Sequence, residues 1–308
     1  MAVPSSTATE AGQSPFAAYG MLITVMLLWG SNVVIGRYIA GDWSPFALSV
    51  WRWGLALLLL LPFTLLPAWR HRAVIRRHWK LLLILGILGV GLFNTMLYVA
   101  LNYTTAINVA LINSTTPICI LLLSRLLIGA RMTPRVVAGV TLGLIGAALI
   151  VTRGDPLAVL SLGFNIGDVI QAAAVLIWAL YSVLLQRHPM QLPPLTLQLA
   201  LVVVGMPIVT LMYLLMPAIG TAMPRHGWDW AMLFYLAVAV SLGSTLLWYL
   251  SVKSVGARVA GFFNYLTPPI VAVLSMVFLD EHLRPFHAVG FVLILGGILL
   301  ATLTARRG

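Results

Sequence analysis

Asn113-Ser114-Thr115-Thr116-Pro117 and, 151 positions later, Asn264-Tyr265-Leu266-Thr267-Pro268 are two copies of one phrase, N-x-x-T-P, each inside a long apolar run. Proline inside a helix has no N–H for the carbonyl four residues back and usually kinks the helix. The carbonyls left over would be those of Asn113 and Asn264, each beside an amide side chain, and Pro269 extends the second break. In hydrocarbon, such polar backbone is tolerated only where protein buries it or it lines a wet cavity. Pro117, Pro268 and Pro269 are therefore expected as helix breaks or hinges, paired about a pseudo-symmetric centre.

Composition says what surrounds that centre. Of the 308 residues 61% are hydrophobic and 8% charged, which overrides a soluble two-domain reading. Apolar runs near twenty residues recur along nearly the whole chain, so the fold class is an all-α integral membrane protein. A net charge of +11 would suggest a nucleic-acid partner in a soluble protein. Here the basic residues sit in short loops, where they set orientation instead, so the lipid bilayer is the partner expected and nucleic acid is not. The single cysteine, Cys119, excludes an intrachain disulfide and reads as a small packing residue.

Spans are placed near 18–38, 46–67, 80–101, 106–129, 133–152, 168–187, 195–217, 229–252, 257–279 and 286–304, ten transmembrane helices with mostly short connections. Residues 1–16 are small and polar and read as a disordered cytoplasmic tail, with no basic region of a cleaved signal peptide. With the N-terminus inside, the inner loops and C-terminal tail carry Arg70, Arg72, Arg76, Arg77, Lys80, Arg131, Arg135, Arg187, Lys253, Arg258, Arg306 and Arg307. Only Arg37, Arg153, Arg225 and Arg284 fall at outer ends. That asymmetry places both termini in the cytoplasm.

The chain also repeats itself. Leu28-Trp29-Gly30 is echoed by Ile177-Trp178-Ala179, and Leu97-Tyr98 by Trp248-Tyr249. The offset set by the two phrases carries Pro134 to Pro285, Gly139 to Gly290 and Gly146 to Gly297. Residues 17–152 and 168–308 are thus two five-helix repeats joined by a periplasmic linker over 153–167. Five being odd, the copies insert with opposite orientation. Inverted repeats place a substrate site at their interface near mid-membrane, and rocking one half against the other gives alternating access.

Ten spans in two halves, the stretch Trp29-Gly30-Ser31-Asn32 and the paired asparagine–proline breaks resemble the drug/metabolite transporter superfamily, EamA type. More narrowly the chain resembles the YddG-type exporters of aromatic and other neutral amino acids. The resemblance implies a multi-pass, cofactor-free carrier, not an enzyme, in a bacterial-type inner (plasma) membrane. Its cavity would be lined by helices 1, 3, 4, 6, 8 and 9.

Candidate substrate-binding residues follow from spacing. Trp29, Asn32 and Gly36 share one face of helix 1, and Trp178 and Tyr181 share one face of helix 6. Helix 3 offers Asn94 and Tyr98, helix 8 Ser244 and Trp248, and the two breaks Asn113, Thr116, Asn264, Tyr265 and Thr267. Rings give flat contact and amides or hydroxyls suit an amino-acid head; freed carbonyls receive an ammonium, and the helix following a break favours a carboxylate. The competing reading is inter-helix hydrogen bonding. Arg52 and Arg125 lie about 9 Å from their helix ends, within reach of snorkelling to the interface; a gate or carboxylate partner is the other role open to them. No Asp or Glu falls near the middle of a span, which disfavours a proton-coupled organic-cation exporter. The histidines form no ligand-like pair, so no metal site is expected. Gly139, Gly143, Gly146, Gly290, Gly296 and Gly297 form small-residue ladders for close packing within a monomer or across a weak homodimer. The function expected is export of small amphiphilic metabolites; the alternatives are a multidrug or organic-cation exporter of the same fold and a channel-like permease.

Overall fold

The computed structural model describes residues 15–152, 154–155, 165–216, 224, 226–279 and 285–305. The tail expected over 1–16, apart from its last two positions, and most of the 153–167 linker lie outside the described residues. So do the loop and tail charges Arg153, Arg225, Asp280, Glu281, Arg284, Arg306 and Arg307. Among the described residues the regular elements are helical, with one isolated bridge between Ala40 and Trp43.

The first half runs α1 (Pro15–Tyr38), α2 (Pro45–Arg70), the short α3 (Arg72–Arg77), α4 (Trp79–Gly86), a π segment (Ile87–Leu92), α5 (Phe93–Tyr103), α6 (Ala106–Asn113), α7 (Thr116–Ile128) and α8 (Pro134–Val151). The second runs α9 (Ile166–Arg187), α10 (Pro194–Leu215), α11 (Gly227–Tyr235), a second π segment (Leu236–Gly243), α12 (Ser244–Phe262), a 3₁₀ turn (Phe263–Leu266), α13 (Thr267–Leu279) and α14 (Pro285–Ala305). Among the described residues seven helical stretches are long and apolar enough to cross a membrane, and two shorter apolar helices, Pro134–Ile150 and Ala288–Ala301, accompany them. The longest stretch, Gly227–Leu274, is bent at Gly256, whose φ of 83° and ψ of 157° only glycine adopts without strain. Gln186 Oε1 accepts the following N–H, of Ala257, at 2.7 Å and so closes the bend.

Helix starts obey local chemistry. Ser44, Thr105 and Thr133 accept N–H groups of the first turns of α2, α6 and α8, satisfying donors that have no intrahelical partner. Asn165 and Asp168 form a capping box at α9. Proline occupies the first turn of α2, α7, α8 and α10, where its missing N–H costs nothing.

That placement corrects one expectation. Neither break is a proline kink in a continuous helix: α6 stops at Asn113 and α7 begins at Thr116 with Pro117 in its first turn. In the second half a 3₁₀ turn ends at Leu266 and α13 begins at Thr267. The carbonyl of Asn264 is not free, because it accepts the N–H of Thr267.

Packing pairs elements of one half with those of the other. α1 lies on α12 as α9 lies on α5, and α1 meets α13 as α9 meets α7; α2 pairs with α10 and α8 with α14. Exchanging the halves leaves this scheme unchanged. Two seams are drawn tight by glycine. A Cβ on Gly139 would sit 2.7 Å from the carbonyl oxygen of Gly297, and one on Gly146 would sit 2.7 Å from that of Gly290, so α8 and α14 touch backbone to backbone. Gly205 in α10 likewise approaches the carbonyl of Gly86. Gly296, expected in the same ladder, is not part of it: nothing lies within 4 Å of its Cβ position.

Candidate substrate cavity

The two breaks, α1, α5 and α9 converge on a cavity of about 30 Å³, room for roughly one water. Its lining is Trp29, Asn32 and Val33 from α1, Phe93, Asn94 and Leu97 from α5, Asn113 and Thr116 from the first break, Trp178 from α9, and Asn264 and Thr267 from the second. Eight of the thirteen residues singled out by spacing therefore meet at one place. The echo of Trp29 and Trp178 is a contact: their rings stand edge to face with centroids 5.0 Å apart.

Four of the others stand behind the lining. Trp248 is fully buried, with its ring 5.1 Å from Trp29 and 5.6 Å from Trp178. Ser244 Oγ accepts the indole N–H of Trp29 at 2.8 Å. Tyr181 stacks on Trp178 at 4.9 Å and borders a second, smaller cavity with Trp53 and Gln198. Tyr98 donates its hydroxyl proton to Asn32 Oδ1 at 2.6 Å. Tyr265 is not brought to the cavity. Its ring packs against Gly143 of α8 and its hydroxyl donates to the carbonyl of Val140 at 2.8 Å. The physical reason is angular: Tyr265 is one residue from Asn264, about 120° around the 3₁₀ turn, whereas Thr267 is three on and shares its face.

Asn113 Oδ1 accepts from Gln171 Nε2 of α9 at 2.7 Å, and Gln171 Oε1 is buried without a donor. Trp178 Nε1 and Trp248 Nε1 are likewise buried with no acceptor. Buried polar atoms are overwhelmingly paired in proteins, so these three leave unused hydrogen-bonding capacity in and beside the cavity.

Arg52 overturns its expected role. It does not snorkel: it is 1% exposed, turned inward from α2. Its Nε donates to Ser241 Oγ and its Nη1 to the Tyr98 hydroxyl, to Asn94 Oδ1 at 3.3 Å and to Asn32 Oδ1 at 3.4 Å. The guanidinium also lies over the rings of Trp53 and Tyr98. Among the described residues no carboxylate pairs with it. Ser241 is presented by the second π segment: its hydroxyl donates to Leu236 O five residues back, and Gln198 satisfies the Ser241 and Leu242 carbonyls. Such π segments recur at functional sites. Arg125, by contrast, is exposed on α7. A sequence signal for Arg52 existed, since Ser49, Arg52 and Ala56 at spacings of three and four share the small-residue face of α2.

Asp168 is also buried, at the start of α9, where Oδ1 accepts from Thr104 Oγ1 at 2.5 Å and Asn108 Nδ2 at 3.2 Å. It is held by the α5–α6 corner and lies apart from the cavity lining. Among the described residues no group of three His, Cys, Asp or Glu side chains could hold a metal ion.

Among the described residues, an all-helical bundle of apolar rods around a polar and aromatic cavity has the form of a multi-pass membrane transporter. The EamA-like transporter family model matches the chain twice, over residues 16–152 and 165–303, and the chain belongs to that family. It is 28% identical over 286 residues to an uncharacterized transporter, YyaM, of Bacillus subtilis (strain 168), covering 92% of this chain and 93% of the relative. It is 26% identical over 290 residues to a probable biotin transporter of Pseudomonas aeruginosa, covering 94% and 96%. A solved crystal structure superposes with a TM-score of 0.75 at 24% identity over 95% of this chain and 98% of the other, a likeness of fold.

Proposed function

We propose that the chain is a carrier of a bacterial-type inner membrane that exports small amphiphilic metabolites, aromatic and other neutral amino acids first. Its ten spans form two inverted five-helix repeats, 17–152 and 168–308, with both termini cytoplasmic, acting as a monomer or weak homodimer. The substrate would occupy the cavity between the repeats, which opens to one side at a time. One observation carries this reading: both N-x-x-T-P phrases and both echoed tryptophans line the same cavity, as expected of a site on a pseudo-two-fold axis. At about 30 Å³ the cavity is contracted, so a guest the size of an amino acid requires the halves to move apart. The roles proposed are ring contact for Trp29 and Trp178, backed by Trp248, Tyr181 and Ser244, and head-group contact for Asn32, Asn94, Asn113, Thr116, Asn264 and Thr267. Pro117, Pro268 and Pro269 fix where the helices restart.

The test is counterflow in proteoliposomes. Vesicles loaded with unlabelled phenylalanine should accumulate labelled phenylalanine or methionine transiently, and empty-vesicle rates across a neutral amino-acid panel would defeat the reading. Biotin belongs in the panel because one relative is named a probable biotin transporter and biotin too is an amphiphile with a polar head. A channel-like permease would give flux without counterflow. An organic-cation exporter would accumulate a quaternary amine instead, though among the described residues no carboxylate lines the cavity.

A further inference from the structure

We infer that Arg52 is the counter-ion for a carboxylate on the transported molecule, so that the site selects small carboxylates bearing an aromatic or apolar tail. This rests on the cavity being the transport site. An arginine buried in a membrane-spanning bundle is costly and is ordinarily paired with an opposite charge or with backbone carbonyls. Arg52 is 1% exposed and all its hydrogen-bond partners are neutral: Ser241, Tyr98, Asn94 and Asn32. Its guanidinium fork is suited to bidentate recognition of a carboxylate. Two of its partners are also walls of the cavity, since the side chains of Asn32 and Asn94 face both the guanidinium and the central space. Their oxygens hold Nη1 at 3.4 and 3.3 Å, long for charge-assisted bonds. A carboxylate entering the expanded cavity would displace these amide oxygens and meet the charge directly, with its tail among Trp29, Trp178 and Phe93. The amides released by Arg52 then turn to the rest of the head group. Ser241 ties the same guanidinium to the π segment ahead of α12, so occupancy is read by an element of each half.

The probes are phenylalanine, 3-phenylpropanoate (carboxylate without ammonium), phenylalaninamide (no carboxylate) and phenethylamine, with biotin as a carboxylate of different shape. In wild-type proteoliposomes 3-phenylpropanoate should compete with labelled phenylalanine, while phenylalaninamide and phenethylamine should be at least tenfold weaker. Arg52→Gln should abolish that discrimination, and Arg52→Lys, which keeps charge but loses the fork, should retain part of it. Tryptophan fluorescence titrated with 3-phenylpropanoate in detergent gives a readout independent of flux, saturable in wild type and shifted at least tenfold in Arg52→Gln. Equal competition by phenylalaninamide in wild type, an unchanged phenylalanine KM in folded Arg52→Gln, or no saturable fluorescence change would each overturn the inference. If phenylalanine is not carried but 3-phenylpropanoate or biotin is, with dependence on Arg52, the amino-acid reading fails and the arginine assignment stands. If phenethylamine is carried and Arg52→Gln is silent, the carrier stands and the assignment falls.

Discussion

Replacing Gly297 by alanine tests the architecture where two helix backbones meet directly. The new methyl would lie 2.6 Å from the carbonyl oxygen of Gly139, 2.8 Å from the amide nitrogen of Gly143 and 3.2 Å from its Cα. All three are backbone atoms of α8, so no rotamer change relieves the clash, and reaching an ordinary 3.4 Å contact requires a local separation of about 0.8 Å. Overpacking of that kind costs about 1–3 kcal/mol. Gly296 is the internal control: one residue earlier on the same helix, with open space at its Cβ, its alanine variant should stay within about 0.5 kcal/mol of wild type. Unfolding by SDS titration in mixed micelles, followed by circular dichroism, measures both. A Gly297→Ala/Gly139→Ala double variant adds a coupling check, because once the helices are apart the second methyl should cost less than it does alone. Equal stability of wild type and Gly297→Ala, or an equal loss in Gly296→Ala, would refute the backbone-on-backbone seam.

Three further outcomes are expected. Trp29→Ala removes the ring proposed to contact the substrate, a contact worth about 0.5–1.5 kcal/mol, so counterflow should show KM raised about two- to tenfold, with Trp29→Phe in between; wild-type kinetics would remove Trp29 from the site. Asp168→Ala strips acceptors from Thr104, Asn108 and the Asn165 amide and should lower stability by about 1.5–3 kcal/mol in the same unfolding assay. Gly256→Ala forces a side chain into a glycine-only conformation and should cost about 1–3 kcal/mol, seen as a lower melting temperature; an unshifted melting curve would mean the bend relaxes.

What the sequence made legible was periodic or repeated. The paired phrases locate both breaks to within a residue or two, and Trp29 and Trp178 could be named because the residues echoed along the chain also touch each other. The character of the breaks was open to misreading, since a proline in a long apolar run looks the same whether it kinks one helix or opens the next. The preceding threonines were the cue, being ordinary residues at a helix start. Tyr265 was misplaced by adjacency along the chain, where only the angle around the helix decides which wall it joins. Arg52 was judged by its distance from the helix end, a one-dimensional quantity; what holds it inside is the convergence of Asn32, Asn94, Tyr98 and Ser241 from three other elements. The π segments, Ile87–Leu92 and Leu236–Gly243, end 151 positions apart. Hydrophobic pattern does not distinguish them from α-helix, since they depend on hydrogen-bond register.

The distribution of contact types bears on which parts of such a bundle can move. Along α8–α14, and where Gly205 approaches Gly86, the helix backbones come so close that a Cβ would lie under 3 Å from a carbonyl oxygen of the facing helix, and a small displacement there loses many contacts at once. Around the cavity the halves meet through ring edges, neutral hydrogen bonds and one cation held by amide and hydroxyl oxygens, contacts that a polar guest can replace one for one. Helix breaks lie on both sides of the cavity, with short turns between α6 and α7 and between α12 and α13. A bundle with stiff outer seams and an exchangeable centre yields at the centre when it is strained. Under the carrier reading, a guest that offers an acceptor to the indole N–H of Trp178, which lines the cavity and is buried without a partner, makes that yielding favourable.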